Sequence, residues 1–237
     1  GMFGIRNGVI NHGGRAADLQ PEGKDRGFFG RFSMRSWASV FYLAGWHTAS
    51  ISSFPFRHGA SWWNSGFMES MNLMRGFGGE RADQVIPGAL DWLERRGKAD
   101  DWFLHVHLWD PHTPYRTPED YGNPFESDPV PLWHTEDVRM ANWDLSGPHS
   151  AQEPWGFRPD EWGEPPPRQP WNASSMDAVK QIFDGYDVGI RYADDAVGVL
   201  LNKLADLNVL EDTAVLISSD HGEAFGELGV YADHQAA

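Results

Sequence analysis

Asp220-His221-Gly222-Glu223 sets a carboxylate and an imidazole side by side directly after an apolar run, Thr213-Ala-Val-Leu-Ile-Ser-Ser. Such a pair can share one cation. Aspartate oxygen suits Ca²⁺, Mg²⁺ or Mn²⁺, and an adjacent imidazole shifts the preference toward Mn²⁺ or Zn²⁺ or supplies one ligand among several. Asp-His-Gly can equally form a turn that caps a following helix. A distant segment carries the same residue types: Phe103-Leu-His-Val-His-Leu-Trp109 ends in Asp110-Pro111-His112-Thr113-Pro114-Tyr115. Pro111 and Pro114 fix φ and restrict the residues before them, so Asp110 and Thr113 are held extended and His112 stands on a stiff turn. A stiff turn suits a substrate contact.

Elements must present these groups. The run from Thr213 to Ser219 reads as a fully buried strand, bent at Gly222, and Phe103–Leu108 reads as another. The carboxyl ends of strands are where an open α/β sheet presents ligands. Along the second strand His105, His107 and Trp109 share one face and Leu104, Val106 and Leu108 the other, which makes the two histidines core or supporting groups rather than ligands. Phe32–Leu43 is helix-like, ends at Gly45 and leads into a strand at His47–Ser52. Arg81–Arg96 carries a helical stripe at Val85, Ile86, Ala89, Leu90 and Leu93, with Gly97 as its stop. Met176–Leu207 has the spacing of one long helix or of two, interrupted at Gly185 and Gly189. Helices alternating with buried strands predict an α/β layered sheet flanked by helices.

With 237 residues, 41% of them apolar, the chain can bury a core as one domain over 1–237. No apolar run approaches the length that crosses a bilayer. A formal charge of −15 disfavours nucleic acid as a partner, because phosphate binding needs clustered Lys and Arg. The absence of cysteine excludes disulfides within these residues. From about 116 to 173 a proline-, tryptophan- and acid-rich excursion, with Pro165-Pro166-Pro167 at its centre, shows no sustained periodicity. Following His112, it is placed to wall a cleft. Trp133, Trp143, Trp155, Trp162 and Trp171 are expected to pin it down by burying area, with stacking on a sugar or aryl group as the other use. Asp194 and Asp195 point about 100° apart on a helix and do not converge.

The DPHTPY turn together with Ser218-Ser-Asp-His-Gly-Glu and Gly226-Glu-Leu-Gly-Val-Tyr-Ala-Asp-His234 resembles the sulfatase branch of the alkaline phosphatase superfamily. Phe41–Ile51 resembles the segment in which a helix ends at glycine before a strand, and Tyr186–Leu207 the long helix that precedes the metal-binding strand. The resemblance implies an alkaline-phosphatase-like fold, here incomplete, and a metal-dependent sulfuric ester hydrolase. It implies Asp220 and His221 as ligands of one divalent metal, calcium first, with manganese or zinc as alternatives. His112 becomes the catalytic residue, binding a non-bridging oxygen or protonating the leaving group, and Glu223 and Asp110 become supporting groups. In such enzymes a formylglycine made from cysteine or serine attacks the ester, and the metal stabilises developing negative charge. The implied partner is a small-molecule or carbohydrate sulfate ester.

The chain also departs from this family. It lacks the paired acidic metal ligands that open such sequences, and no Cys/Ser-x-Pro-x-Arg nucleophile motif stands where the family has it; Ser53-Phe-Pro-Phe-Arg57 has the letters of that motif but follows the Gly45 segment, where the family has a later strand. Ser53 and Pro55 stand where a Lys-x-His pair grips sulfate in many relatives. Asp233-His234 stands where many relatives have a lysine, which makes His234 a replacement anion contact or a further metal ligand. Gly1 reads as a tag residue, and Gly4–His12 with Gly13-Gly14 resembles the loop after the nucleophile. The chain is therefore expected to be an internal or truncated segment of a longer enzyme. A phosphonate or phosphate ester hydrolase of the same superfamily, or a non-catalytic homologue that forms a homo-oligomer through exposed edges, are the alternatives.

Overall fold

A computed structural model describes residues 36–52, 64–73, 80–155 and 167–234. Ser53–Arg57, Trp162, the Gly4–Gly14 loop and the first turn of the expected Phe32–Leu43 helix lie outside the described residues. The chain divides into two compact units, one formed by residues 1–109 with 196–214, the other by 110–195 with 215–237.

The first unit holds a three-stranded parallel sheet. Helix α1, Trp37–Leu43, is capped by Ser36, whose hydroxyl accepts from the Ser39 N–H. Gly45, at φ +90°, reverses the chain into β1, His47–Ile51. β2 (Glu69–Met71) and β3 (Trp102–Val106) flank β1 in the order β2-β1-β3. The register pairs Ser50 with His105 and Ile51 with Val106. Helix α2, Ala82–Arg96, forms as its stripe predicts. The Gln84 side chain accepts from the Arg81 N–H at its start, and the Gly97 N–H donates to Leu93 O at its end. Val85, Ala89, Trp92 and Leu93 pack on Ala49 and Ile51 together with Leu204 and Leu207, and Leu104, Val106 and Leu108 lie against them. On the opposite face stand His105 of β3 and His107 just beyond it, with ring centroids 6.2 Å apart. They bond to Ser50 Oγ at 3.1 Å and Ser52 Oγ at 3.2 Å. These are core contacts, as the alternation requires.

The second unit is built on the first turns of a long helix and a small hairpin. Helix α3 is Glu136–Trp143, started by Thr135, whose hydroxyl accepts from the Val138 N–H; it lies inside the stretch expected to be unpatterned. Helix α4, Met176–Asp206, is one uninterrupted helix, so Gly185 and Gly189 do not break it. They admit close neighbours instead: a Cβ on Gly185 would lie 2.5 Å from Arg168 O, and one on Gly189 2.5 Å from Asp110 O. β4 (Ala224–Phe225) pairs antiparallel with β5 (Tyr231–Asp233). Tyr115, Val179, Ile182, Phe225, Tyr231 and Ala232 form the core of this unit. Trp155 is buried, donates its Nε1–H to Pro170 O and packs against Trp171 at 4.4 Å. The excursion is thus pinned by aromatic burial at these two residues.

One expected element is corrected. Residues 213–219 are not a strand, and Val215, Leu216 and Ile217 are 48%, 75% and 68% exposed. A ladder needs a neighbour to take its N–H and C=O groups. Both edges of β1 are occupied by β2 and β3, and among the described residues no strand pairs with 213–219. An apolar run states a preference for burial but does not supply the partner that would satisfy its backbone.

Candidate functional site

Hydrogen bonds and a hairpin, not two parallel strands, bring the chemically active residues of the second unit together. The pairing of Ala224 with Asp233 places the residues before β4 beside those after β5. The rings of His221 and His234 accordingly stack, with centroids 3.8 Å apart and planes 15° from parallel. Glu223 then reaches the Asp110–Tyr115 turn. Its Oε1 accepts from the Thr113 N–H at 3.0 Å and its Oε2 from the Tyr115 hydroxyl at 3.3 Å. Gln169 Oε1 completes the clamp, accepting from Thr113 Oγ1 at 2.9 Å and from the Tyr115 N–H at 3.2 Å. The Thr113-Pro114 bond inside the clamp is cis.

Held in this way, the His112 ring lies 5.8 Å from that of His221 and 5.2 Å from that of His234. One ring nitrogen of each of the three lies within 4.8 Å of the other two. The tautomers of two of them follow from their partners. His112 Nδ1 bonds to Thr113 O, and His221 Nδ1 to Gly222 O at 2.9 Å. A carbonyl only accepts, so each Nδ1 carries the proton and, in the neutral ring, Nε2 carries the lone pair. His234 Nδ1 is buried with no hydrogen-bond partner among the described residues; Asp233 Oδ1 lies 3.8 Å away. Asp220 Oδ2 lies 3.7 Å from His221 Nε2, and the Asp220 side chain is 73% exposed. Asp110 is buried, with its carbonyl against Gly189 of α4.

The electrostatics reflect burial among acids. Glu223 keeps a partial opening to solvent, yet its carboxyl is packed against Thr113 and Tyr115 and burial pushes its pKa up to about 7. The Thr113 N–H and Tyr115 hydroxyl oppose that shift, and Asp233 adds to it. Burial, and next the charge of Glu223, raise the Tyr115 phenol well above its ordinary value. Burial first, and then neighbouring His221, lower His234, while Asp233 and Asp220 act in the other direction. Asp233 also lies 4.0 Å from His149 Nε2. Neutral imidazoles with fixed lone pairs and a bordering row of acids make a cluster that can hold a cation, and a ring that takes up a proton at Nε2 can donate to an anion.

All three histidines were legible from the two motifs. Gln169 was not, although it holds the turn from two sides; a single amide after a proline run has no spacing that marks it. Asp194 and Asp195 stay apart, with Asp195 bonded to Arg191 at 3.0 Å and Asp194 exposed.

A family model described as Sulfatase matches residues 21–237 of the chain. Human iduronate 2-sulfatase is 29% identical over 164 residues, which are 64% of this chain and 27% of that protein. A sulfatase of Formosa agariphila is 26% identical over 166 residues, 65% of this chain and 29% of that protein. The choline-sulfatase of Rhizobium meliloti is 28% identical over 131 residues, 55% of this chain and 23% of that protein. The matched stretch thus spans under a third of the length of each of these relatives.

Proposed function

The chain belongs to the sulfatase family, and from that membership we propose that residues 1–237 form one alkaline-phosphatase-like domain fragment, a layered sheet with flanking helices, that supplies the ester-binding and metal-binding side of a sulfuric ester hydrolase. The observation that carries this is the convergence of His112, His221 and His234 within 4.8 Å. His112 is the residue proposed to act on the ester. With Nδ1–H committed to Thr113 O, only Nε2 faces a substrate, and as imidazolium it donates to a non-bridging or leaving oxygen. His234 is the second contact to the anion. Asp110 and Glu223 support the turn that presents His112, the latter through the Thr113 N–H. Asp220 and His221 are the residues proposed to hold a divalent cation, whose charge would offset that of the ester oxygens.

Calcium takes about six to eight oxygen ligands, and of the two residues proposed here only Asp220 offers carboxylate oxygen, so the donor set suits manganese or zinc better. The substrate class is a sulfate ester of a small molecule or sugar. The sequence holds no cysteine, and its Ser-x-Pro-x-Arg match, Ser53–Arg57, follows the strand at His47–Ile51 rather than preceding it, so turnover is proposed to require a nucleophile from outside these residues. A phosphonate or phosphate ester is the second reading, favoured by Asp233-His234 standing in place of a sulfate-gripping lysine. Equilibrium binding of an aryl sulfate, with the matching aryl phosphonate as competitor, tests both. His112→Ala and His234→Ala should each weaken aryl sulfate binding about tenfold, the value of one charge-assisted hydrogen bond. Unchanged binding in both variants refutes the proposal, and tighter binding of the phosphonate favours the second reading.

A further inference from the structure

Two backbone outliers meet beside the histidines. His149, from the proline- and tryptophan-rich excursion, and Ala232 of β5 are both left-handed, at φ +60° and +51°. Neither is glycine, so each conformation costs about 1–3 kcal/mol and persists only where its surroundings impose it. Ala232 is the extra residue of a bulge. Phe225 pairs with Tyr231 and Ala224 with Asp233, which leaves Ala232 unpaired and re-aims the side chains that follow. The Tyr231 N–H donates to His149 O at 2.7 Å, so the excursion is bonded to β5 directly before the bulge.

The result is a carboxylate set between two imidazoles. Asp233 is 6% exposed, and its Oδ1 lies 4.0 Å from His149 Nε2 and 3.8 Å from His234 Nδ1. Neither separation is a hydrogen bond, and His234 Nδ1 is buried without one among the described residues. A buried carboxylate and a buried ring nitrogen that face each other in this way are both satisfied by one small rotation. Hydrogen bonds of a working site are often long before the ligand arrives and tighten when it does. His149 is itself oriented, because its Nδ1–H donates to Pro154 O at 3.2 Å and leaves Nε2 as the edge toward Asp233.

Resting on the reading of His234 as an anion contact, we propose that Asp233 and His149 are positioning residues for His234: Asp233 takes the His234 Nδ1–H, and His149, delivered by the excursion, holds the Asp233 carboxylate in place. His234 then turns Nε2 toward the ester, the same edge that the bond to Thr113 O leaves to His112. A carboxylate in this position fixes the tautomer and supports the ring when it carries both protons.

Ring ¹⁵N shifts of His234, recorded on the whole chain in alkaline buffer without metal or ester, read the tautomer. The proton on Nδ1 in the parent, and no longer confined there in Asp233→Ala, is the expected result. A proton on Nε2 in the parent overturns the inference, and that measurement needs no variant to fold. Aryl sulfate affinity is the second measurement. Acting only as a neighbouring charge, Asp233 would repel an anion, and its removal would tighten binding. Acting as a positioning residue, it makes Asp233→Ala bind about tenfold more weakly. His149→Ala should weaken binding about threefold, and His149→Gln, which keeps an N–H donor at similar reach, should restore most of that loss. Unchanged or tighter binding in Asp233→Ala, or His149→Gln no better than His149→Ala, overturns the inference. If the parent fails to bind aryl sulfate while the His234 proton sits on Nδ1 and depends on Asp233, the anion contact fails and the positioning pair stands.

Discussion

Two glycines of one helix should respond in opposite directions to the same substitution. Within α4, Gly→Ala ordinarily stabilises by about 0.5–1 kcal/mol, because alanine loses less backbone entropy. Gly198 has nothing within 4 Å of an added Cβ, so Gly198→Ala should gain close to that amount. At Gly189 the added carbon would lie 2.5 Å from Asp110 O and 3.0 Å from Pro111 Cα, where ordinary contact begins near 3.4 Å. Backbone of the turn that carries His112 must then retreat by about 0.9 Å, the difference between those two distances. Overpacking of this kind costs about 1–3 kcal/mol, which exceeds the helical gain. Urea unfolding should therefore place Gly189→Ala about 1–2 kcal/mol below the parent and Gly198→Ala above it. The same displacement moves His112 away from His221 and His234, so Gly189→Ala should also weaken aryl sulfate binding while Gly198→Ala leaves it unchanged. Equal stability of the two variants would refute the close approach of α4 to the Asp110 turn.

His105 gives a pH dependence with a definite sign. Burial, and then neighbouring His107, lower its pKa from 6.5 to about 4, so the unfolded chain binds the extra proton between those values. The contribution to stability is complete above pH 6.5 and is lost as pH falls toward 4; from pH 7 to pH 5 the loss is about 2 kcal/mol. His105→Gln should flatten that part of the profile in urea titrations at the two pH values, and an unchanged slope would show that the ring is solvated. Gln169→Ala removes the acceptor for Thr113 Oγ1 and the Tyr115 N–H. It should cost about 1–3 kcal/mol and lower the affinity for aryl sulfate; full affinity would mean that Glu223 alone holds the turn. The isolated chain should release no sulfate from an aryl sulfate ester at any metal concentration, and measurable turnover would place a nucleophile among its own residues.

The parts of the fold that follow from a repeating pattern were legible in the sequence. The stripe of α2 and the alternation of β3 each record burial on one face; the structure buries the core of the α2 stripe and packs the partly buried Leu104 and Val106 of β3 against it. Helix α3 was missed because its eight residues are too few to show a period, although Thr135 followed by Glu136 and Asp137 is a helix-start signal. Gly185 and Gly189 resemble breaks because glycine weakens a helix locally; only tertiary contact reveals that the missing side chain makes room for Tyr115 and Asp110. The run 213–219 reads as a strand by composition, but pairing is a property of two segments, and one segment's residues cannot specify it. At the site, the motifs pointed to His112, His221 and His234. The agents that join them, Glu223 to Thr113 and Gln169 to Tyr115, are long-range hydrogen bonds with no local trace.

The claim on which the rest depends is that one pocket holds His112 with the residues around position 220. Histidine side-chain ¹⁵N resonances followed by NMR during titration with inorganic sulfate test it directly. Shifts confined to His112, His221 and His234, saturating together while His47, His105 and His134 stay in place, are the predicted result. Sulfate that perturbs only one of the three, or histidines elsewhere in the chain, would contradict it.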